Sequence, residues 1–210
     1  MSSYADLPSL QSWMSAGNDS AVVFTGDEEA AAQLLLDAAT TWIDQYTGRS
    51  FADESPATKY FYATSPDRLA LPDIRTITSL DYDSTGTGTF ATVLTEGTDF
   101  YKTPLNPRPD PGIYTGVQIY PYSSKGFYGQ YRVRVIGDWG YTLSGAAPPN
   151  VQQACLLLAS RWWSRKSAPL GIIQNTDIGT FRSLTKEDGD VLSLLVPYRA
   201  ATVGQNWLVV

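Results

Sequence analysis

TGDEEAAAQLLLDAATTWIDQYTGRSF, residues Thr25 to Phe51, and APPNVQQACLLLASRWWSRKSAP, residues Ala147 to Pro169, decide how this chain folds. In the first stretch Leu35, Ala38, Ala39, Trp42 and Tyr46 recur at helical spacing and predict one apolar face, which Leu34, Leu36 and Ile43 widen. Thr25 and Glu28 fit a capping box. Asp27, Glu28 and Glu29 put negative charge where the helix dipole favours it, and Gly48 is a natural C′ stop. The second stretch opens on Pro148-Pro149, which suits a first helical turn. Val151, Cys155, Leu158 and Trp162 form one stripe there, Leu156, Ala159 and Trp163 another, and Leu157 extends the coverage. No acid occurs from Pro148 to Leu170, and Arg161, Arg165 and Lys166 lie near the C-terminal end. A helix apolar on several sides is usually buried, inside a domain or between subunits.

Between the two helices the hydrophobic period changes. Candidate strands are Lys59–Ala63, Arg68–Leu71, Ile77–Tyr82, Phe90–Leu94, Asp99–Thr103, Gly112–Tyr120 and Gln130–Ile136. In the last of these, Tyr131, Val133 and Val135 alternate with Arg132 and Arg134. Turn signals separate the runs at Ser65-Pro66-Asp67, Ser84 to Gly88, Asn106 to Gly112 and Ser123 to Gly129. A short leading helix over Pro8 to Gly17, with Leu10, Trp13 and Met14 as its apolar side, and a last one over about Glu187 to Val196 complete the set. The expected fold class is α+β: a helical bundle from the N- and C-terminal helices, interrupted by an antiparallel β-sandwich or barrel-like insertion. The expected organisation is 1–57 helical, 58–142 β, and 143–210 helical with an apolar tail, the first and last parts packing as one unit.

The 210 residues suit one or two domains. With 43% hydrophobic and 17% charged residues the composition is that of a folded chain. The uncharged stretch Leu143 to Ser160 is too rich in Pro, Gly, Asn and Gln to span a bilayer. The start MSSYADLPSL lacks a signal-peptide pattern, so assembly in a cytoplasm is expected. The net charge of −6 is uneven: 1–57 carries nine acids and one base, 58–142 eight of each, and 143–210 four acids and six bases. An acidic N-terminal layer and a mildly basic C-terminal one can attract each other within or between copies, although ordinary solvated faces would look the same.

Several chemistries are disfavoured. Histidine is absent, which removes the commonest general base and metal ligand. The single Cys155, in CLLLA, reads as a buried small hydrophobe. Ser84-Thr-Gly-Thr-Gly-Thr lacks the lysine and setting of a phosphate loop. Asp81 and Asp83 with Asp99 or Asp110 give at most a weak calcium pattern beside the simpler reading of solvated strand ends. Glu54, Asp67 and Asp73 show no spacing that singles out a hydrolase pair. Tyr60, Tyr62, Tyr120 and Tyr122 could stack on sugars or bases, but aromatics more often fill β cores and interfaces. An acidic chain repels phosphate, which disfavours specific nucleic-acid binding. No catalytic, cofactor-binding or metal-binding residue is assigned. The terminal run Trp207-Leu208-Val209-Val210 gains nothing from water and should dock somewhere.

Several short motifs occur in a characteristic order: Tyr46-Thr47-Gly48-Arg49-Ser50-Phe51, Lys59-Tyr60-Phe61-Tyr62, Leu71-Pro72 leading to Ile77-Thr78-Ser79-Leu80, Arg134-Val135-Ile136-Gly137-Asp138-Trp139-Gly140-Tyr141, Pro148-Pro149-Asn150-Val151-Gln152-Gln153-Ala154, and Leu194-Leu195-Val196-Pro197-Tyr198-Arg199. In this order the chain resembles the head-tail connector (adaptor) family of tailed bacteriophages. The large strand region and the tail after Arg199 depart from its compact members. The resemblance implies a non-enzymatic virion protein of the neck, without cofactor. It would form a homo-oligomeric ring, commonly twelvefold, beneath the portal protein. Such a ring joins the capsid to a stopper or other tail-proximal protein and extends the channel for genomic DNA, which passes without specific binding. On this reading Arg161, Trp162, Trp163, Arg165 and Lys166 are expected at a subunit or portal interface, and Trp207, Leu208, Val209 and Val210 form a docking tail. Two other readings stay open: a carbohydrate-binding β module with helical flanks, and a histidine-free carboxylate hydrolase.

Overall fold

The structure, a computed structural model, describes residues 3–16, 21–107, 112–127, 132–142, 146–166, 172–174, 181–183 and 189–200. The chain divides into two compact units, one from Met1–Gly48 with Ala147–Ala200, the other built on Arg49–Ala146. The fold is α+β.

In the first unit α1 spans Leu7–Ser15, α2 Asp27–Thr47, α3 Pro149–Lys166 and α4 Gly189–Leu195, which runs into a 3-10 turn at Val196–Tyr198. A short antiparallel pair, β7 (Ile172–Gln174) with β8 (Phe181–Ser183), lies between α3 and α4 in sequence. The Asp6 carboxylate caps α1 by accepting from the Ser9 N–H at 2.9 Å. At the other end of α2, Gly48 takes the left-handed conformation (φ 66°) and donates to Asp44 O at 2.8 Å, as its sequence position predicts.

The start of α2 differs from the expected capping box. Its N-cap is Gly26, with no side-chain cap, and Thr25 contributes only its carbonyl, which accepts from Glu28 N–H at 3.1 Å. The chain turns at Gly26, one residue later than the box requires, so the Thr25 hydroxyl is out of place. The apolar face also differs. The buried side is Ala32, Leu36, Ala39, Thr40, Ile43 and Thr47, while Ala38 is exposed and Leu35, Trp42 and Tyr46 are only half-buried. Small residues let α3 approach closely on that side: Cys155 Sγ lies 3.8 Å from both Leu36 O and Thr40 Oγ1. The bulky aromatics sit on the flank instead, Trp42 and Tyr46 stacking on each other at 5.3 Å. On α3 the buried side is Val151, Ala154, Cys155, Leu158 and Ala159.

The second unit is a single antiparallel sheet. Its strands are β1 (Glu54–Tyr62), β2 (Arg68–Asp83), β3 (Thr92–Leu94), β4 (Phe100–Thr103), β5 (Tyr114–Ile119) and β6 (Arg132–Trp139). They pair in the order β1-β6-β2-β5-β4, with β3 on the end of β2. The sheet does not close into the barrel-like form anticipated from strand density, because β1 and β4 remain at opposite ends of the order. Two expected strands, Arg68–Leu71 and Ile77–Tyr82, merge into the 16-residue β2. Pro72, which suggests a break, falls where the β2–β5 register shifts between Ala70 and Ile74, so its missing N–H costs no ladder bond. Along β6, Val133, Val135 and Trp139 are buried while Arg132, Arg134 and Asp138 face away. Leu71, Ile74, Leu80, Val117, Phe100 and Phe127 join them in the core. The buried Trp139 indole donates to Ala57 O at 2.9 Å, satisfying its one polar atom.

Candidate interaction surfaces

The carboxylates that could have carried chemistry are occupied. Asp81, almost fully buried on β2, accepts Nε and Nη2 of Arg134 from β6. Asp83 accepts backbone N–H groups of Thr85, Gly86 and Gly88 and so orders the turn that follows β2. Burial alone would push its carboxyl up, but these hydrogen bonds hold it below the usual range. Asp99 likewise sits low despite its burial, held by the Lys125 ammonium, the Thr95 N–H and the Ser123 hydroxyl. Burial raises the Asp73 carboxyl, and its Arg49 partner opposes the rise. Glu54 pairs with Lys59 at 2.7 Å, and Asp67 accepts from Ser65 and Gln118. Asp110 lies outside the described residues. Among the described residues no three acids or cysteines gather as a metal site.

The tyrosines expected as stacking candidates fall in two places. Tyr60 and Tyr62 stand exposed on β1, and Tyr60 tilts against Phe90, over whose ring the Arg132 and Arg134 guanidinium groups lie at 5.9 and 5.0 Å. Tyr120 stacks on Tyr122 at 4.9 Å and tilts against Tyr101 at 5.0 Å. Despite these contacts Tyr60, Tyr62 and Tyr122 remain more than half exposed.

The predicted interface residues lie at the end of α3. Arg161 donates to Asp190 of α4 at 2.7 Å. The Trp163 ring tilts against Phe24, just before α2, with centroids 4.7 Å apart. Both are therefore engaged inside their own helical unit. Trp162 and Arg165 are half-buried, and Lys166 closes the helix. The Phe24–Trp163 contact also fixes the direction of packing: the first turn of α2 lies beside the last turn of α3, so the helices run antiparallel. The docking tail, Trp207, Leu208, Val209 and Val210, lies outside the described residues.

A surface that sequence reasoning missed runs along the outer side of α2. Leu34 is 68% exposed, and Ala30, Ala38, Thr41 and Gln45 are exposed on the same side. Asp27, Glu28, Glu29 and Asp37 decorate this helix, and none forms an ion pair among the described residues. The signal was present in the sequence, since Leu34 and Ala38 are spaced one helical turn apart. The large aromatics next to them resemble core in the sequence and hide this face.

No known protein family matches the chain, and no curated protein matches its sequence. Solved structures do share its fold. One chain, from "Virion of native gene transfer agent (GTA) particle", is 19% identical with a TM-score of 0.54, over 85% of this chain and 81% of that one. Another, from "Neck of empty GTA particle computed with C6 symmetry", is 19% identical with a TM-score of 0.52, over 87% and 84%. A third, from "Neck of native GTA particle computed with C12 symmetry", is 18% identical with a TM-score of 0.50, over 83% and 85%.

Proposed function

We propose that the chain is a structural protein of a phage-like virion neck, an adaptor that forms a ring, twelvefold with the portal, between capsid and tail. The observation that carries this reading is the breadth of the fold likeness, which spans more than four fifths of this chain and of chains from two particle necks computed with C6 and C12 symmetry and from a virion. An acidic chain, at −6 overall, suits the wall of a conduit that lets DNA slide through without holding it. On this reading the end of α3, with Trp162, Arg165 and Lys166, meets a neighbour or the portal. The tail Trp207 to Val210 docks on the portal, and the far rim of the ring receives the stopper.

The test is assembly. Co-expressed with the portal protein of the same particle, the chain is expected to co-purify as a ring whose mass gives a whole number of copies matching the portal. Deletion after Gly204 is expected to leave the fold intact and to weaken portal capture at least tenfold. Portal binding unchanged by that deletion would remove the docking role of the tail. A chain that never joins portal or particle would remove the neck reading.

A further inference from the structure

Four charged residues form an alternating square where the chain enters the β unit. The guanidinium of Arg49 donates to Asp73 Oδ1 at 2.5 Å, and Nη2 of Arg75 donates to Asp53 Oδ1. Arg49 and Asp53 lie four residues apart on the segment before β1, and Asp73 and Arg75 lie two apart on β2. Two ion pairs of opposite sense therefore join the same two segments. Asp73 and Arg75 are the buried corners, 8% and 6% exposed. Arg75 sits at a bulge: β2 pairs Ile74 with Trp139 and Thr76 with Asp138, so Arg75 has no opposite residue on β6. A bulge of this kind re-aims a side chain that strict alternation would place elsewhere.

Among the described residues no ion pair joins Asp73 to Arg75. Each keeps buried polar atoms without a hydrogen-bond partner, Oδ2 of Asp73 and both Nε and Nη1 of Arg75. Buried donors and acceptors left unmet are costly. A group that meets both needs must accept from a guanidinium and donate to a carboxylate. A small anion does only the first, and the surroundings repel it. Asp138, held by the Ser55 and Thr76 hydroxyls and then by the charge of Arg75, brings the cluster to three carboxylates against two guanidinium groups. A metal cation does only the second. Water does both, and polar interior sites with two or more partners are where proteins keep it. We propose that an ordered internal water is bound between Arg75 and Asp73, accepting from the free guanidinium N–H groups and donating to Asp73 Oδ2. It closes the square and makes Arg75 a positioning residue that ties β2 to the entering segment Arg49–Asp53. The site stands apart from the neck reading and does not depend on it.

Crystals of the full chain, grown without halide, are expected to show a density peak within hydrogen-bonding distance of both the Arg75 guanidinium and the Asp73 carboxylate. A bromide soak is expected to leave no anomalous signal there. Arg75→Lys, which keeps a donor, is expected to retain the peak, and Arg75→Met to lose it. The methionine variant is expected to fold, because Asp53 is 31% exposed and can turn to solvent. In solution the Arg75 guanidinium protons of the unmodified chain are expected to show a cross-peak to a long-lived water, a readout that needs no variant. No peak in the unmodified chain overturns the proposal, as do bromide at the site, a peak that survives Arg75→Met, and guanidinium protons without a water contact.

Discussion

The hydroxyl of Tyr4 donates to the carboxylate of Asp44, tying the segment before α1 to the last turn of α2. Asp44 is badly placed for a charge. Burial pushes its carboxyl from an ordinary 3.8 up to about 6, the Tyr4 hydrogen bond opposing, and a helix C-terminus disfavours an anion. Because the folded value lies above the unfolded one, the native state holds the proton more tightly between pH 4 and 6. Stability is then greatest below about pH 4 and falls as pH rises to 6. Asp44→Asn, which keeps the acceptor, is expected to flatten that slope and to stabilise at pH 7. Two pKa units correspond to about 3 kcal/mol, and partial solvent access reduces the gain to about 1 kcal/mol. Urea midpoints at pH 4, 6 and 7.5 check it. A variant whose midpoints fall in parallel with wild type rules the assignment out.

Asp81 and Arg134 form an unequal ion pair across the sheet, with side-chain exposures of 1% and 34%. Removing the cation leaves a buried anion whose remaining side-chain donor among the described residues is the Ser79 hydroxyl, at 2.6 Å. Arg134→Ala is expected to cost about 2–3 kcal/mol, and adding Asp81→Asn to recover about half of that. Equal costs in the single and double variants would contradict a desolvated Asp81.

Gly140 follows β6 at φ 98°, and a Cβ there would sit 1.9 Å from Ala52 O. Its N–H meanwhile donates to Asp73 O at 2.9 Å. Gly140→Ala is expected to cost about 3 kcal/mol or more, since it adds a clash to a left-handed backbone. Gly86→Ala, at φ 72° in open space, is expected to cost about 1 kcal/mol. Denaturant midpoints of the two variants, side by side, separate the steric part from the conformational one.

Cys155 packs against Leu36 and Thr40, and its thiol is held near 11, first by burial and against the Thr40 hydrogen bond. In the folded chain it is expected to react with a disulfide reagent at least a hundredfold more slowly than in urea. Rapid reaction without unfolding would mean that the α2–α3 contact opens readily.

The C-terminal end of α2 and the run of α3 are legible because local chemistry sets them: Gly48 stops one helix, and a proline pair opens the other. The alternation of Arg132, Val133, Arg134 and Val135 is legible for the same reason, as one strand buries one side. The merger of two predicted strands across Pro72 was not, because a register shift in a partner strand made the proline harmless. The open sheet was not legible either, since closing or leaving an edge depends on strands far apart in sequence. Nor was the role of Leu34 and Ala38, because helical spacing gives a stripe without saying which side the neighbouring helix will choose.

By itself, then, the sequence determined the parts: two framing helices of opposite charge, short strands between them, no histidine, one silent cysteine and carboxylates without catalytic spacing. Periodicity and capping act over a few residues and can be read from them. Tertiary structure alone decided which carboxylates are spent on Arg134, Arg49 and Lys125. It also decided that the aromatics of α2 lie on its flank while Leu34 and Ala38 face outward. Those outcomes turn on which surfaces meet most closely, and that choice favoured the small side chains around Cys155 over the large ones that look most like a core.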